Sequence, residues 1–154
     1  MMKRLAIAVA LALVACESPV ESELERDLWE SLAIRDYEFV YTVGCFCGFL
    51  GPNPAKLTVR DGVVVKVEAV GPAPLPNTTP PAATYPTVDT LFAVIERARR
   101  EDPATLTLEY DETYHFPRLI ALDPIAGVAD DEVTYRVEQF RPLTVPASSV
   151  AGSR

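Results

Sequence analysis

Lys56 to Val70 reads KLTVRDGVVVKVEAV, and the register of this stretch decides the fold. Polar and apolar residues alternate on both sides of Asp61-Gly62, as in two antiparallel strands joined by a tight turn. A two-residue Asp-Gly turn would set Arg60 opposite Val63 and Thr58 opposite Val65, polar against apolar. A three-residue loop, Arg60-Asp61-Gly62 with Gly62 left-handed, sets Val59 opposite Val63 and Leu57 opposite Val65. The apolar side chains then share one face. A one-residue slip would move every side chain to the other face, so the three-residue loop is the expected connection. A hairpin with one apolar face needs a cover, and the flanking sequence supplies it.

Upstream, Tyr37 to Val43 (YEFVYTV) alternates, with Tyr37, Phe39, Tyr41 and Val43 on one side, and predicts a strand. Before it, residues 20–35 (VESELERDLWESLAIR) predict a helix. Leu24, Leu28 and Leu32 recur every four residues, Trp29 stands beside them, and Ser18 and Pro19 suit the start. Downstream, Val70 to Pro86 holds six of the 14 prolines and predicts an extended surface loop. Thr87 then caps a second helix, VDTLFAVIERARRE, whose buried stripe is Val88, Leu91, Ile95 and Ala98. Asp89 near its start and the arginines near its end complement the helix dipole. Three more strands follow, TLTLEY, FPRLIAL and EVTYRVEQF, with Pro117 at a strand start where a missing donor is tolerated. The order α-β-β-β-α-β-β-β predicts an α+β fold, an antiparallel sheet with two helices on one face, and suggests a pseudo-repeat. Residues 20–140 form the expected single domain and 141–154 a loose tail.

The amino terminus reads MMKRLAIAVALALVAC. Lys3 and Arg4 precede eleven apolar residues, Leu5 to Ala15, too few for a membrane span of about 20 residues but suited to a secretory signal. Leu13-Val14-Ala15-Cys16 resembles the lipobox of bacterial lipoproteins. That resemblance implies a signal peptide over residues 1–15, lipid on Cys16 and a short tether over 16–19. Two or more acyl chains make such an anchor stable, at about 0.8 kcal/mol per buried methylene. Cleavage before Cys16 would leave 139 of the 154 residues, with 12 basic against 22 acidic, a formal charge of −10. So acidic a chain lacks the basic face that nucleic acid requires. The expected location is the cell envelope, facing the periplasm. Glu17 and Ser18 in place of an aspartate after the cysteine lean toward the outer membrane of a Gram-negative cell.

Cys45 and Cys47, in GCFCG, are the one hint of chemistry. In a regular strand residues two apart lie about 6.6 Å apart, beyond the 5.5–6 Å that disulfides favour, so a bond needs a bend. Gly44 and Gly48 permit one. Three readings stand open: a local disulfide, free thiols, or a metal or thiol-redox site. Two thiolates suit Cu(I), whereas a structural zinc wants four ligands and the chain offers one histidine, His115. Asp130-Asp131-Glu132 lacks the spaced oxygen ligands of a calcium loop and reads as a turn before a strand. Asp111 and Asp123 read as turn residues. No serine motif, phosphate loop or histidine pair is present, so neither catalysis nor a cofactor is expected.

Trp29, Tyr37 and Tyr41, Cys45-Phe-Cys47, Val59-Arg-Asp-Gly62, Tyr110-Asp111, Pro117 with Asp123, and Asp130-Asp131-Glu132 with Tyr135 stand in this order. In that order they resemble a family of small bacterial lipoproteins catalogued only as a domain of unknown function. The likeness spans roughly residues 25 to 140 and implies location and fold type, with no activity. It implies a glycine before Phe116-Pro117, where this chain has His115. The layout is also similar to periplasmic peptidase-inhibitor-like domains of a helix and a sheet. The expected function is a non-enzymatic module that binds an envelope protein or peptide through a tyrosine-bearing sheet. The alternative is a metal-binding or thiol-redox protein using Cys45 and Cys47.

Overall fold

The computed structural model describes residues 19–48, 51, 53–72, 79–128 and 130–143. The helices are α1 (Pro19–Ser31) and α2 (Val88–Glu101). The strands are β1 (Tyr37–Cys45), β2 (Ala55–Arg60), β3 (Val63–Ala69), β4 (Thr105–Tyr110), β5 (Pro117–Asp123) and β6 (Val133–Pro142), and a 3-10 turn spans Ala82–Thr84. The strands form one antiparallel sheet in the order β3-β2-β1-β6-β5-β4. This is the α+β arrangement that the alternating strands and two helices predict. Its repeat is one of order only. From β1 to β4 the strand direction reverses three times, so no shift superposes the halves. A rotation that restored the direction would put the second helix on the other face. Instead the helices meet, Arg26 pairing with Glu96 and Trp29 Nε1 donating to Asp89 at 2.9 Å.

The core lies on the helix side. Tyr37, Phe39, Tyr41 and Val43 alternate inward along β1, and Val59, Leu57 and Ala55 meet the first three of them in register from β2. Above them α2 buries Val88, Leu91, Phe92, Ile95 and Ala98, the expected stripe with Phe92 added. Thr87 caps it, its hydroxyl accepting from Thr90 N at 3.2 Å, and Asp102 in the left-handed region ends it (φ 51°).

Several expectations are corrected. The central hairpin uses the two-residue turn: Arg60 pairs with Val63, and Asp61 and Gly62 have φ of 47° and 74°. A bulge between Thr58 and Val59 then restores the faces, so Val59 meets Val64 and Leu57 meets Val67. Val64 is buried while Val63 and Val65 stay exposed. A turn with both central residues left-handed matches strand twist, and the preceding segment fastens it. Asp61 N donates to Asp36 Oδ1 at 2.8 Å and Gly62 N to Arg35 O at 3.0 Å.

The first helix stops at Ser31, and Ala33 (φ 49°) turns the chain toward β1. Among its described side chains Ser22 and Trp29 are buried, while Leu24 is exposed and Leu28, like Leu32 just beyond the helix, is half-buried. Docking by Trp29 and by polar pairs outweighs the leucine stripe. Arg141 and Pro142, expected in the tail, belong to β6 opposite Glu38 and Tyr37. Leu143 N donates to Asp36 O at 2.9 Å, so pairing with β1 carries the domain past residue 140. The described part of the proline-rich connection is more than a surface loop, because it buries Tyr85 and its 3-10 turn packs on β3. Among the described residues no helix is long and apolar enough to cross a membrane.

Candidate binding site at the cysteine turn

The sheet has two ends. At one lie the start of β1, the β2–β3 turn, the β4–β5 turn and the end of β6, with α1 beside them. At the other lie Cys45, the return to β2, and the β5–β6 connection.

Cys45 closes β1 in register with Val133. It is bonded to Cys47 across a Cα separation of 5.1 Å, tighter than a straight strand allows. Gly48, at φ 62°, carries the bend onward. Between the cysteines Phe46 stands 82% exposed, the most exposed large apolar side chain among the described residues. The chain returns through Asn53, whose side chain acts as a piece of strand. Val43 N donates to Asn53 Oδ1 at 3.0 Å and Asn53 Nδ2 donates to Val43 O at 2.6 Å. A cis Asn53–Pro54 bond leads into β2. Val43, Cys45, Phe46, Gly48 and Asn53 line an open depression of about 520 Å³. In the β5–β6 connection at the same end of the sheet Ile125 and Val128 are also exposed. The site is thus an aromatic tip on a clamped turn.

The opposite end is built from paired polar groups. The Glu25 carboxylate lies 2.8 Å from His115 Nδ1. His115 has φ 63°, the left-handed conformation that explains why a glycine suits this position. Asp111 serves a turn, as expected: its Oδ1 accepts from Thr113 N at 3.0 Å and Tyr114 N at 2.7 Å. The Asp61 backbone N–H holds the Asp36 carboxyl below its usual range, helped by Arg60. Arg141 and Lys56 do the same for Glu38. Burial pushes the Tyr37 hydroxyl upward, although Val88 N donates to it at 3.1 Å.

These positions sort the predicted site residues. Cys16 lies outside the described residues. Cys45 and Cys47 come together. His115, the third weak metal candidate with them, does not join them, because β1 ends at one end of the sheet and the β4–β5 turn closes the other. Among the described residues no group of three or more His, Cys, Asp or Glu gathers where it could hold a metal ion. The tyrosines expected on a binding face are corrected too. Tyr37 and Tyr41 point into the core, and the outward register positions carry Glu38, Lys56, Glu138 and Arg136. Alternation forces this, since the aromatic side of β1 is the side the helices cover. Phe46 and Asn53 were missed; the available signal was an aromatic between two cysteines, outside the strand's alternation.

No curated protein and no solved structure gave a match to this chain. One family profile matches residues 21–142, nearly the whole described domain. The chain belongs to that family, the family of unknown function DUF6174.

Proposed function

We propose that this is a lipid-anchored cell-envelope lipoprotein, attached through Cys16, whose domain is a non-enzymatic module that binds another protein or a peptide at the cysteine turn. The observation that carries the reading is Phe46, an aromatic left in water at the tip of a turn clamped by the Cys45–Cys47 bond and by Asn53. Aromatic anchors held in place before binding contribute most per residue at interfaces, because little side-chain freedom is lost on docking. The string Leu13-Val14-Ala15-Cys16 just ahead of the domain supports the anchor, and the acidic charge favours a partner over an anionic surface. The test is in-cell photo-crosslinking from position 46, followed by identification of the adduct. A discrete adduct that competes with untagged wild type, and is outcompeted far less by Phe46→Ala, is the expected result. Loss of every adduct with the protein at normal abundance would end the reading.

A second reading, thiol-redox chemistry at Cys45 and Cys47, is favoured by the exposure of Cys47. A Cys45→Ser/Cys47→Ser double variant that leaves envelope thiol balance unchanged counts against it.

A further inference from the structure

Strands β5 and β6 are joined toward the cysteine end and parted at the α1 end. They pair only from Leu122↔Val133 to Leu119↔Arg136. Pairing of β4 with β5 runs on to Tyr110↔Pro117, and that of β1 with β6 to Tyr37↔Pro142. Two residues mark the parting. Pro117 brings no N–H to a ladder. Gln139, at φ 52°, belongs to a bulge: β1 takes two steps from Glu38 to Val40 while β6 takes three from Arg141 to Glu138. The extra residue returns Phe140 to the helix side, against Trp29, Tyr37, Tyr114 and Phe116. That aromatic cluster plugs the split from the helix side. From the outer side a cavity of about 410 Å³ opens into it.

The floor of this cavity is apolar and buried, formed by Phe116, Leu119 and Val137. Its rim carries both signs of charge. Arg118 Nη2 donates to Glu109 Oε2 at 3.1 Å, and the Asp111 carboxylate is held by its own turn. Arg136 and Glu138 have no such partner among the described residues. Two apart on β6, they stand on the outer face about 6.6 Å apart along the strand. A cation and an anion are thus kept separate over an apolar floor. We propose that the cavity binds a dipeptide with apolar side chains, its carboxylate on Arg136, its ammonium on Glu138 and a side chain on Phe116 and Leu119. A guanidinium takes a carboxylate through two parallel hydrogen bonds. The spacing sets the length of the ligand. An extended chain advances about 3.3–3.6 Å per residue, so the charged ends of a dipeptide lie about 7 Å apart. A free amino acid carries both charges on one carbon, and the ends of a tripeptide lie about 10 Å apart. The volume falls within the range of small-molecule sites, about 300–1,000 Å³. The cavity lies at the other end of the sheet from Phe46, so it stands apart from the reading of the cysteine turn.

The test is calorimetric titration of the detergent-solubilised full chain with leucyl-leucine, its N-acetyl form, its C-terminal amide, and leucine. Leucyl-leucine binds saturably at one site per chain. Blocking either end weakens it by at least about tenfold, the loss of one charge-assisted hydrogen bond, and leucine binds more weakly still. Arg136→Gln and Glu138→Gln, both at exposed positions, leave the melting temperature unchanged and assign the ends. Arg136→Gln binds leucyl-leucine no better than its amide but still rejects the N-acetyl form, and Glu138→Gln does the reverse. The proposal is overturned if leucyl-leucine fails to bind at millimolar concentration, or if the blocked forms or leucine bind as well as it does. It is also overturned if both variants discriminate between the ligands as the wild type does, which would place the peptide elsewhere on the chain.

Discussion

The two ends of the sheet solve the same problem, closing a strand array, by opposite means. The α1 end is closed by burial. Trp29 meets Tyr37 and Phe140 edge-on at centroid distances of 5.6 and 5.8 Å, Phe116 lies 4.6 Å from Phe140, and polar groups bind the periphery. The cysteine end is closed by short-range clamps, a disulfide two residues wide and one asparagine, and leaves its aromatic outside. An end closed by burial draws its stability from apolar area. An end closed by local clamps can hold a shape while spending no apolar surface on itself. That leaves Phe46 available to something else.

The comparison breaks most easily at Trp29. Trp29→Ala removes the plug between α1 and the sheet and orphans Asp89, and should cost about 3–5 kcal/mol in a urea titration. A cost near that of an average surface substitution would mean that α1 is not held by burial. Asn53→Ala tests the other end. It leaves Val43 N–H and C=O without their side-chain partner and should cost about 2 kcal/mol, while amide exchange rises locally around residues 43–54 and not at Trp29. If exchange rises at both ends together, the two closures are one cooperative unit.

Acid should act on the α1 end. Asp36 and Glu38, both at the α1 end, are held below their ordinary values of about 3.8 and 4.5. A depressed carboxylate contributes stability that is fully present above its unfolded value. That contribution fades as pH falls through the folded one. Stability should therefore decline from about pH 4.5 downward, and Glu38→Gln should flatten part of that decline in acid titrations followed by fluorescence of Trp29. An unchanged acid limb would remove Glu38 from the account.

The sequence made the sheet legible because alternation is dictated by the pleat, and it made α2 legible because its cap and stripe agree. It misled at the places where two local rules competed. In the hairpin, facing of apolar residues and the geometry of Asp-Gly both mattered, and the chain satisfied both by inserting Val65 as a bulge. In α1, the regular leucines lost to Trp29, whose partners Asp89 and Phe140 lie 60 or more residues away and leave no local trace. Cys45 and Cys47 were legible as a pair, since glycines on both sides permit the bend. Asn53 was not, because a side chain that imitates a strand looks like any loop asparagine.

The smallest expected effect lies at His115, where two terms oppose. Its left-handed backbone, φ 63°, costs a non-glycine residue about 1 kcal/mol, and a glycine would recover it. Its ring nitrogen, 2.8 Å from Glu25, ties the β4–β5 turn to α1, a partly buried link contributing about 0.5–1 kcal/mol. His115→Gly alone should therefore change stability by less than about 0.5 kcal/mol. The cancellation is removable. In a Glu25→Ala background the link is already gone, so only strain relief remains, and His115→Gly should stabilise by about 1 kcal/mol. The cycle separates burial from polar tethering at the α1 end: if His115→Gly is neutral in both backgrounds, the histidine holds neither strain nor helix, and that end rests on Trp29 and its aromatic neighbours alone.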